Sequence, residues 1–187
     1  AISDDGRLFG SLGFGGSGRI VRIDPVTAVR TDLGFSGFAS VPALDFAPAG
    51  TPFAGTLFGV GRTGANVDFL VRINQSTGAA TIVGPIGIPF VDGIVFASDG
   101  TLFCVGFING GVLARINPVT GAGSLVGAIP FDSVVGLEFA SDGSLLGSLG
   151  GVDPMAGGLI RINPATGAAT FIGSTGFSPV SGLTRLP

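Results

Sequence analysis

The residues able to do chemistry in this chain are few, and what is missing narrows the choice first. There is no His, and the nine basic residues are all Arg. Without imidazole the commonest general base and metal ligand are gone, and without Lys there is no Schiff-base route. The single cysteine, Cys104, has no His to activate it and no second thiol to pair with. It stands in a column otherwise held by Gly10, Gly59 and Gly147, which marks a small buried residue rather than a nucleophile. The sequence is therefore read as non-enzymatic.

Two sets of polar residues remain. Arg22, Arg72, Arg115 and Arg161 recur in the same local sequence, so four guanidinium groups could ring an anion. Because every unit carries one, the reading favoured is architectural: each Arg ties blade to blade by bonding turn carbonyls or a neighbouring Asp. Asp45 and Glu138 share a column with Val95 and Thr184, which puts the two carboxylates on opposite units facing a central axis. Oxygen-only ligands there would suit Ca²⁺ as a weak alternative; otherwise the pair is solvated at the channel mouth or bonded to Arg. Paired carboxylates also raise glycoside hydrolysis, but the chain has no Trp or Tyr to stack a sugar ring. No cofactor is called for.

These columns exist because the chain repeats. Arg-Ile-Asp-Pro-Val-Thr at Arg22 returns as Arg-Ile-Asn-x-x-Thr-Gly at Arg72, Arg115 and Arg161, spaced by 50, 43 and 46 residues. A second signature precedes it in each unit: Ile2 to Gly6, Phe46 to Gly50, Phe96 to Gly100 and Phe139 to Gly143, each leading into a Leu-rich strand. An insertion over 51–55 accounts for most of the longest spacing. Each unit offers four short strands in about 45 residues, the period of a propeller blade, and no helical run survives the glycines. The expectation is an all-β small β-propeller of four four-stranded blades in one domain over 1–187, with repeats at about 1–50, 51–100, 101–143 and 144–187. Val180-Ser181-Gly182-Leu183-Thr184 is a spare inner strand, so the C-terminal strand should join the N-terminal blade and close the ring. The Asn-Pro-x-Thr-Gly turns supply an Asx side chain, a fixed corner and a positive-φ Gly; at Gln75 and Ala28 that pattern lapses and a looser turn is expected.

These motifs resemble bacterial extracytoplasmic propeller-like repeat proteins of uncharacterised function, many with sorting tails of the PEP-CTERM kind. The resemblance spans nearly the whole chain and departs from the usual pattern at Phe9, Phe58 and Phe103, where Tyr is frequent. It implies a secreted, periplasmic or cell-surface location, which a signal-peptidase product beginning at Ala1 would suit. No common activity comes with it.

Composition limits the partners. The basic residues are scattered, so no stripe exists to follow a phosphate backbone, and nucleic acid is excluded as a partner. No apolar run reaches the roughly 18 to 20 residues of a membrane-spanning helix. Only 11% of residues are charged and mean hydropathy is +0.67, so much of the outside should be covered by a partner. The links between blades repeat an aromatic near Pro, as in Pro85 to Phe90, Ala128 to Phe131 and Gly176 to Pro179. Phe35, Phe90, Phe131 and Phe177 thus form either a plug over the core or an apolar rim that binds protein. The expected role is an interaction or assembly subunit, binding protein partners or itself through these loops; the alternative is a small-ligand or Ca²⁺-binding propeller centred on Asp45 and Glu138. Function should sit where the blades differ: the 51–55 insertion, the Arg62 to Asp68 and Gly151 to Gly157 loops, and the Phe rim.

Overall fold

The computed structural model describes residues 1–12, 18–64, 67–151, 155–177 and 180–184. Short β-branched and Leu-rich runs separated by turn residues form fifteen strands among them. They fall into four antiparallel meanders, each numbered from the axis outward. The first holds β1 (Leu8–Ser11), β2 (Arg19–Ile23) and β3 (Arg30–Phe35). The second holds β4 (Leu44–Phe46), β5 (Leu57–Arg62), β6 (Asp68–Ile73) and β7 (Ala80–Pro85). The third holds β8 (Gly93–Phe96), β9 (Leu102–Phe107), β10 (Gly111–Ile116) and β11 (Gly123–Ile129). The fourth holds β12 (Val134–Phe139), β13 (Leu145–Leu149), β14 (Gly158–Ile162) and β15 (Ala169–Ser174). This is a four-bladed β-propeller.

The first blade is completed at its inner edge by a single bridge, Ile2 opposite Leu8, with Ala1 and Phe9 exchanging backbone hydrogen bonds of 3.0 and 2.8 Å. Ser181 to Thr184 lies where the ring was expected to close and borders a cavity with Phe9, Gly10 and Ser11. It forms no strand ladder there. Ser178, Pro179 and Arg185 to Pro187 are outside the described residues, as are parts of the Arg62 to Asp68 and Gly151 to Gly157 loops.

Successive side chains of a strand face opposite neighbouring blades, so the strands near the axis, β5 and β8 among them, are buried on both faces. Three apolar cores result. Phe9 and Ile20 meet Leu57 and Val71 between blades one and two. Phe58 and Leu70 meet Leu102 and Ala114 between two and three. Phe103 and Leu113 meet Leu145 and Ile160 between three and four.

A repeated lock reinforces these three interfaces at the rim. A Cβ on Gly34 would stand 2.4 Å from the Thr77 carbonyl oxygen, and one on Gly84 or Gly127 would stand 2.0 Å from that of Thr120 or Thr166. The outer-strand glycine of one blade is thus roofed by the Thr-Gly turn of the next, and no larger residue fits. Those turns are closed as their sequence predicts. Asn117 Oδ1 accepts from the amides of Val119 and Thr120 at 2.8 and 3.2 Å, and Asn74 does the same for Ser76 and Thr77 at 2.9 and 3.1 Å. The expected loosening at Gln75 and Ala28 is not found. Gln75 adds a hydrogen bond of 2.8 Å to the Gly55 carbonyl, and Ala28 keeps the turn by adopting φ 57°.

Each meander runs inward to outward, so the links between blades and the hairpins between second and third strands emerge on one face. The Asp-Gly and Asn-Pro turns emerge on the other.

Candidate functional site

Asp45 on β4 and Glu138 on β12 belong to opposite blades, and both border two cavities on the axis. The larger, about 210 Å³, is also lined by Phe9, Ser11, Asp92 and Leu183. The other is bordered by Asp4, Phe96 and Thr184. Asp45 Oδ2 accepts the Phe96 amide at 2.7 Å, and Glu138 Oε1 accepts the Phe139 amide at 2.9 Å. Burial pushes the Asp45 carboxyl up to about 7; its hydrogen bond from Phe96 opposes this and the negative Glu138 adds to it. Asp45 therefore takes up a proton close to neutral pH. Among the described residues, no group of three or more Asp, Glu or Cys is placed to hold a metal ion.

The Arg column lies on the exposed rim rather than around the axis. Arg22, Arg72, Arg115 and Arg161 are exposed, on the third strand from the axis. Arg72 stacks over Phe53 and Phe58 at 4.9 and 5.7 Å from the ring centroids, and Arg115 over Phe103 at 5.4 Å. Arg115 and Arg161 also hold the Asp99 and Asp142 turn carboxyls down, although hydrogen bonds from Thr101 and Ser144 do most of that. In place of the blade-to-blade tie expected of them, Arg72 and Arg115 cover aromatic surface of their own blades.

An ion pair that the repeat does not contain provides the between-blade tie. Arg62, at the end of β5, is 2% exposed. Its Nε and Nη2 donate to the two Asp68 oxygens at 2.7 and 2.9 Å, and its Nη1 donates to Asp92 at 3.0 Å. Asp68 also accepts the Val91 amide at 2.7 Å, and Arg62 donates to the Val91 carbonyl at 3.1 Å. Burial holds the Asp92 carboxyl above its usual range despite Arg62 beside it. The cluster fixes the link from β7 to β8. Sequence reading placed Arg62 and Asp68 at the ends of an irregular loop and overlooked their burial; the available signal was an Arg outside the repeated column in a chain with little charge.

That link carries Phe90, 44% exposed and at φ 52°, a conformation uncommon for an aromatic residue. The Arg62 guanidinium lies 5.7 Å from its ring centroid. Phe35 and Phe177 are 54% and 75% exposed on the same face, with Arg19 stacked 3.9 Å from the Phe35 centroid. Phe131 differs: it is half-buried against the core between blades three and four, so it serves as a plug. Exposed apolar residues of the hairpins join the face, among them Phe107 and Ile108 at the tip of the β9–β10 hairpin. The Phe107 amide donates to the Pro89 carbonyl at 3.1 Å, which sets this tip beside Phe90. In the 51–55 insertion Phe53 packs edge-on against Phe58, 5.7 Å between centroids. Cys104 is fully buried between blades two and three, and desolvation, with a smaller contribution from Asp68, pushes its thiol up to about 12.

No family model matches the sequence, and a search of curated proteins finds no match. Solved structures do resemble it. The PQQ-bound aldose sugar dehydrogenase of Streptomyces coelicolor aligns over 95% of this chain and 77% of its own, at 16% identity and TM-score 0.61. A nidogen/laminin complex aligns over 91% of this chain and 62% of its own, at 14% identity and TM-score 0.65. TolB from Acinetobacter baumannii aligns over 93% and 42%, at 14% identity and TM-score 0.61. These are β-propeller proteins. The chain spans only about three fifths of the nidogen/laminin chain and two fifths of TolB. At such identities the likeness extends to the fold. Because one of the three is a dehydrogenase, the shared fold does not choose between catalysis and binding.

Proposed function

We infer that this protein is a non-enzymatic, extracytoplasmic interaction propeller that binds a protein partner through the face carrying its blade links. The exposed aromatic set on that face carries the reading: Phe35, Phe90 and Phe177, with Phe107 and Ile108 beside Phe90. Large aromatics clustered on pinned loops are the usual anchors of protein interfaces, and here a buried ion pair holds one of them in an unfavourable backbone conformation. The chemistry of the chain supports the same conclusion, since His and Lys are absent and the thiol is buried. An extracellular domain from B. thetaiotaomicron, matched at TM-score 0.55 and 18% identity, illustrates a similar fold outside the cytoplasm. Secretion, and membership of the bacterial repeat group that the motifs resemble, belong to this proposal.

The test is retention of an envelope protein by the immobilised chain. Wild type and Asp45→Asn should retain the same partner, and a Phe35→Ser, Phe90→Ser, Phe177→Ser triple variant should lose at least ten-fold. Equal retention by the triple variant overturns the reading. A second reading rests on Asp45 and Glu138 sharing one cavity. There the channel holds Ca²⁺ or a small cationic ligand; a melting temperature that Ca²⁺ raises and chelator lowers would favour it, and an unchanged one would remove the ion.

A further inference from the structure

The tip of the β9–β10 hairpin carries chemistry that neither the axial cavity nor the ion-pair cluster uses. Phe107 pairs with Gly111 at the end of the ladder, and the Ile108 amide donates to the Gly110 carbonyl at 2.9 Å, which leaves Asn109 at the apex. Asn109 holds φ 52° and Gly110 φ 136°. Asn accepts the left-handed region more readily than most residues, and Gly accepts it freely. Asn109 is exposed, and its side chain makes no hydrogen bond among the described residues. The Gly110 amide donates to none of them either, and nothing lies within 4 Å of a Cβ placed on Gly110. An unbonded side-chain amide is thus followed directly by an unbonded backbone amide, in open space.

The other asparagines lack that combination. Asn117 and Asn163 precede Pro, which has no amide hydrogen to lose, and their Oδ1 atoms close the turns. Asn74 precedes Gln75, and its Oδ1 is held by the amides of Ser76 and Thr77. Asn66 precedes Val67, whose branched side chain crowds its own amide. Asp5, Asp99 and Asp142 also precede Gly, but hydrogen bonds from Ser3, Thr101 and Ser144 hold these carboxyls ionised, and a carboxylate is a poor electrophile.

We propose that Asn109 is a self-modification site, converting without an enzyme to aspartate and isoaspartate, and that the conversion weakens partner binding at this corner of the link-loop face. Base removes the Gly110 amide proton, and the nitrogen attacks Asn109 Cγ. A C–N bond forms, the bond from Cγ to the side-chain nitrogen breaks, and ammonia leaves. Water then opens the succinimide ring. Opening at the side-chain carbonyl gives aspartate; opening at the backbone carbonyl gives isoaspartate, which carries the main chain through the former side chain. One water is consumed and one ammonia released, with no change of oxidation state. Either product sets a new negative charge beside Phe107 and Ile108, and isoaspartate also lengthens the tip that the Phe107 amide ties to the Pro89 carbonyl. An apolar partner would have to bury that carboxylate unpaired, which is costly. The effect on binding rests on the link-loop reading; the modification does not.

The test follows the native full chain at pH 6 and pH 9 by peptide mapping and mass spectrometry. Position 109 should convert at least ten-fold faster at pH 9, and at least ten-fold faster than Asn74, Asn117 or Asn163, with isoaspartate the larger product. Asn109→Gln, whose side chain must close a larger ring, should release no ammonia on that timescale. A native chain that keeps Asn109 intact, whether or not the urea-denatured chain converts there, overturns the proposal, and so does aspartate as the only product. For the effect on binding, Asn109→Asp should retain at least ten-fold less envelope partner with unchanged far-UV circular dichroism. Undiminished retention of a partner that the Phe35→Ser, Phe90→Ser, Phe177→Ser variant loses overturns that part. A triple variant that loses nothing removes the link-loop reading, and the modification is then judged by mass spectrometry alone.

Discussion

Asp45 is the residue whose chemistry the fold alters most. Its carboxyl is raised from its ordinary 3.8 to about 7, so between these limits the folded chain holds a proton that the unfolded chain has released. Stability contributed by that proton is fully present below about pH 4 and is lost as pH rises through about 7. The whole interval corresponds to about 4 kcal/mol. Replacing Asp45 by Asn should therefore raise the melting temperature at pH 8 and leave it nearly unchanged at pH 4, as thermal melts across that range will show. Arg62 works in the opposite sense. It is nearly inaccessible and directs its donors to Asp68, Asp92 and the Val91 carbonyl, so Arg62→Met removes the cation that the buried Asp68 faces. Breaking a buried pair costs about 3 to 5 kcal/mol, and Asp68→Asn added to Arg62→Met should recover part of it. A denaturant titration of the three variants measures both effects.

At the scale of the element, the turn and the outer strand carry the fold together. Ala28 holds the conformation that Gly has in the sister turns, at a cost of about 1 kcal/mol. Ala28→Gly should raise the melting temperature by about 2 to 4 °C. The outer-strand glycines make a sharper comparison. Gly84→Ala drives a methyl group into the Thr120 carbonyl and should destabilise by at least about 2 kcal/mol. Gly173→Ala, in the same column, meets no atom of the described residues and should be neutral or slightly stabilising. Paired melts of these two variants test whether the interface between the last blade and the first is as open as the partial exposure of Leu146 and Leu159 indicates.

For the whole molecule, a copied unit was readable because each copy carries the same Asx turn, the same glycine and the same alternation, and these local rules determine blades whatever their neighbours. Asp45 and Glu138 reached the axis for the same reason: a column in the repeat is a position in the blade. Arg62 was not readable, because its partners lie 6 and 30 residues away and meet only once two blades are packed. The exposure of Phe107 and the burial of Phe131 likewise depend on how neighbouring loops settle. The closing strand was readable as a sequence, but its pairing is a property of the ring. Hydrogen exchange should show this at low denaturant: amides of β1 and of the outer strands beside the seam between the last blade and the first exchange faster than those of β5, β6, β9 and β10. Uniform protection across the four blades would mean that the seam is as tight as the rest.

Cys104 gives the molecule a built-in clock. Its thiol lies in the core between the second and third blades, fully covered and far from ionising at neutral pH. A disulfide reagent in solution can react with it only after those two blades part, so the labelling rate times the opening of one particular joint. Compared with the rate of a reporter cysteine at position 11, it ranks the joints of the ring by how often each lets water in.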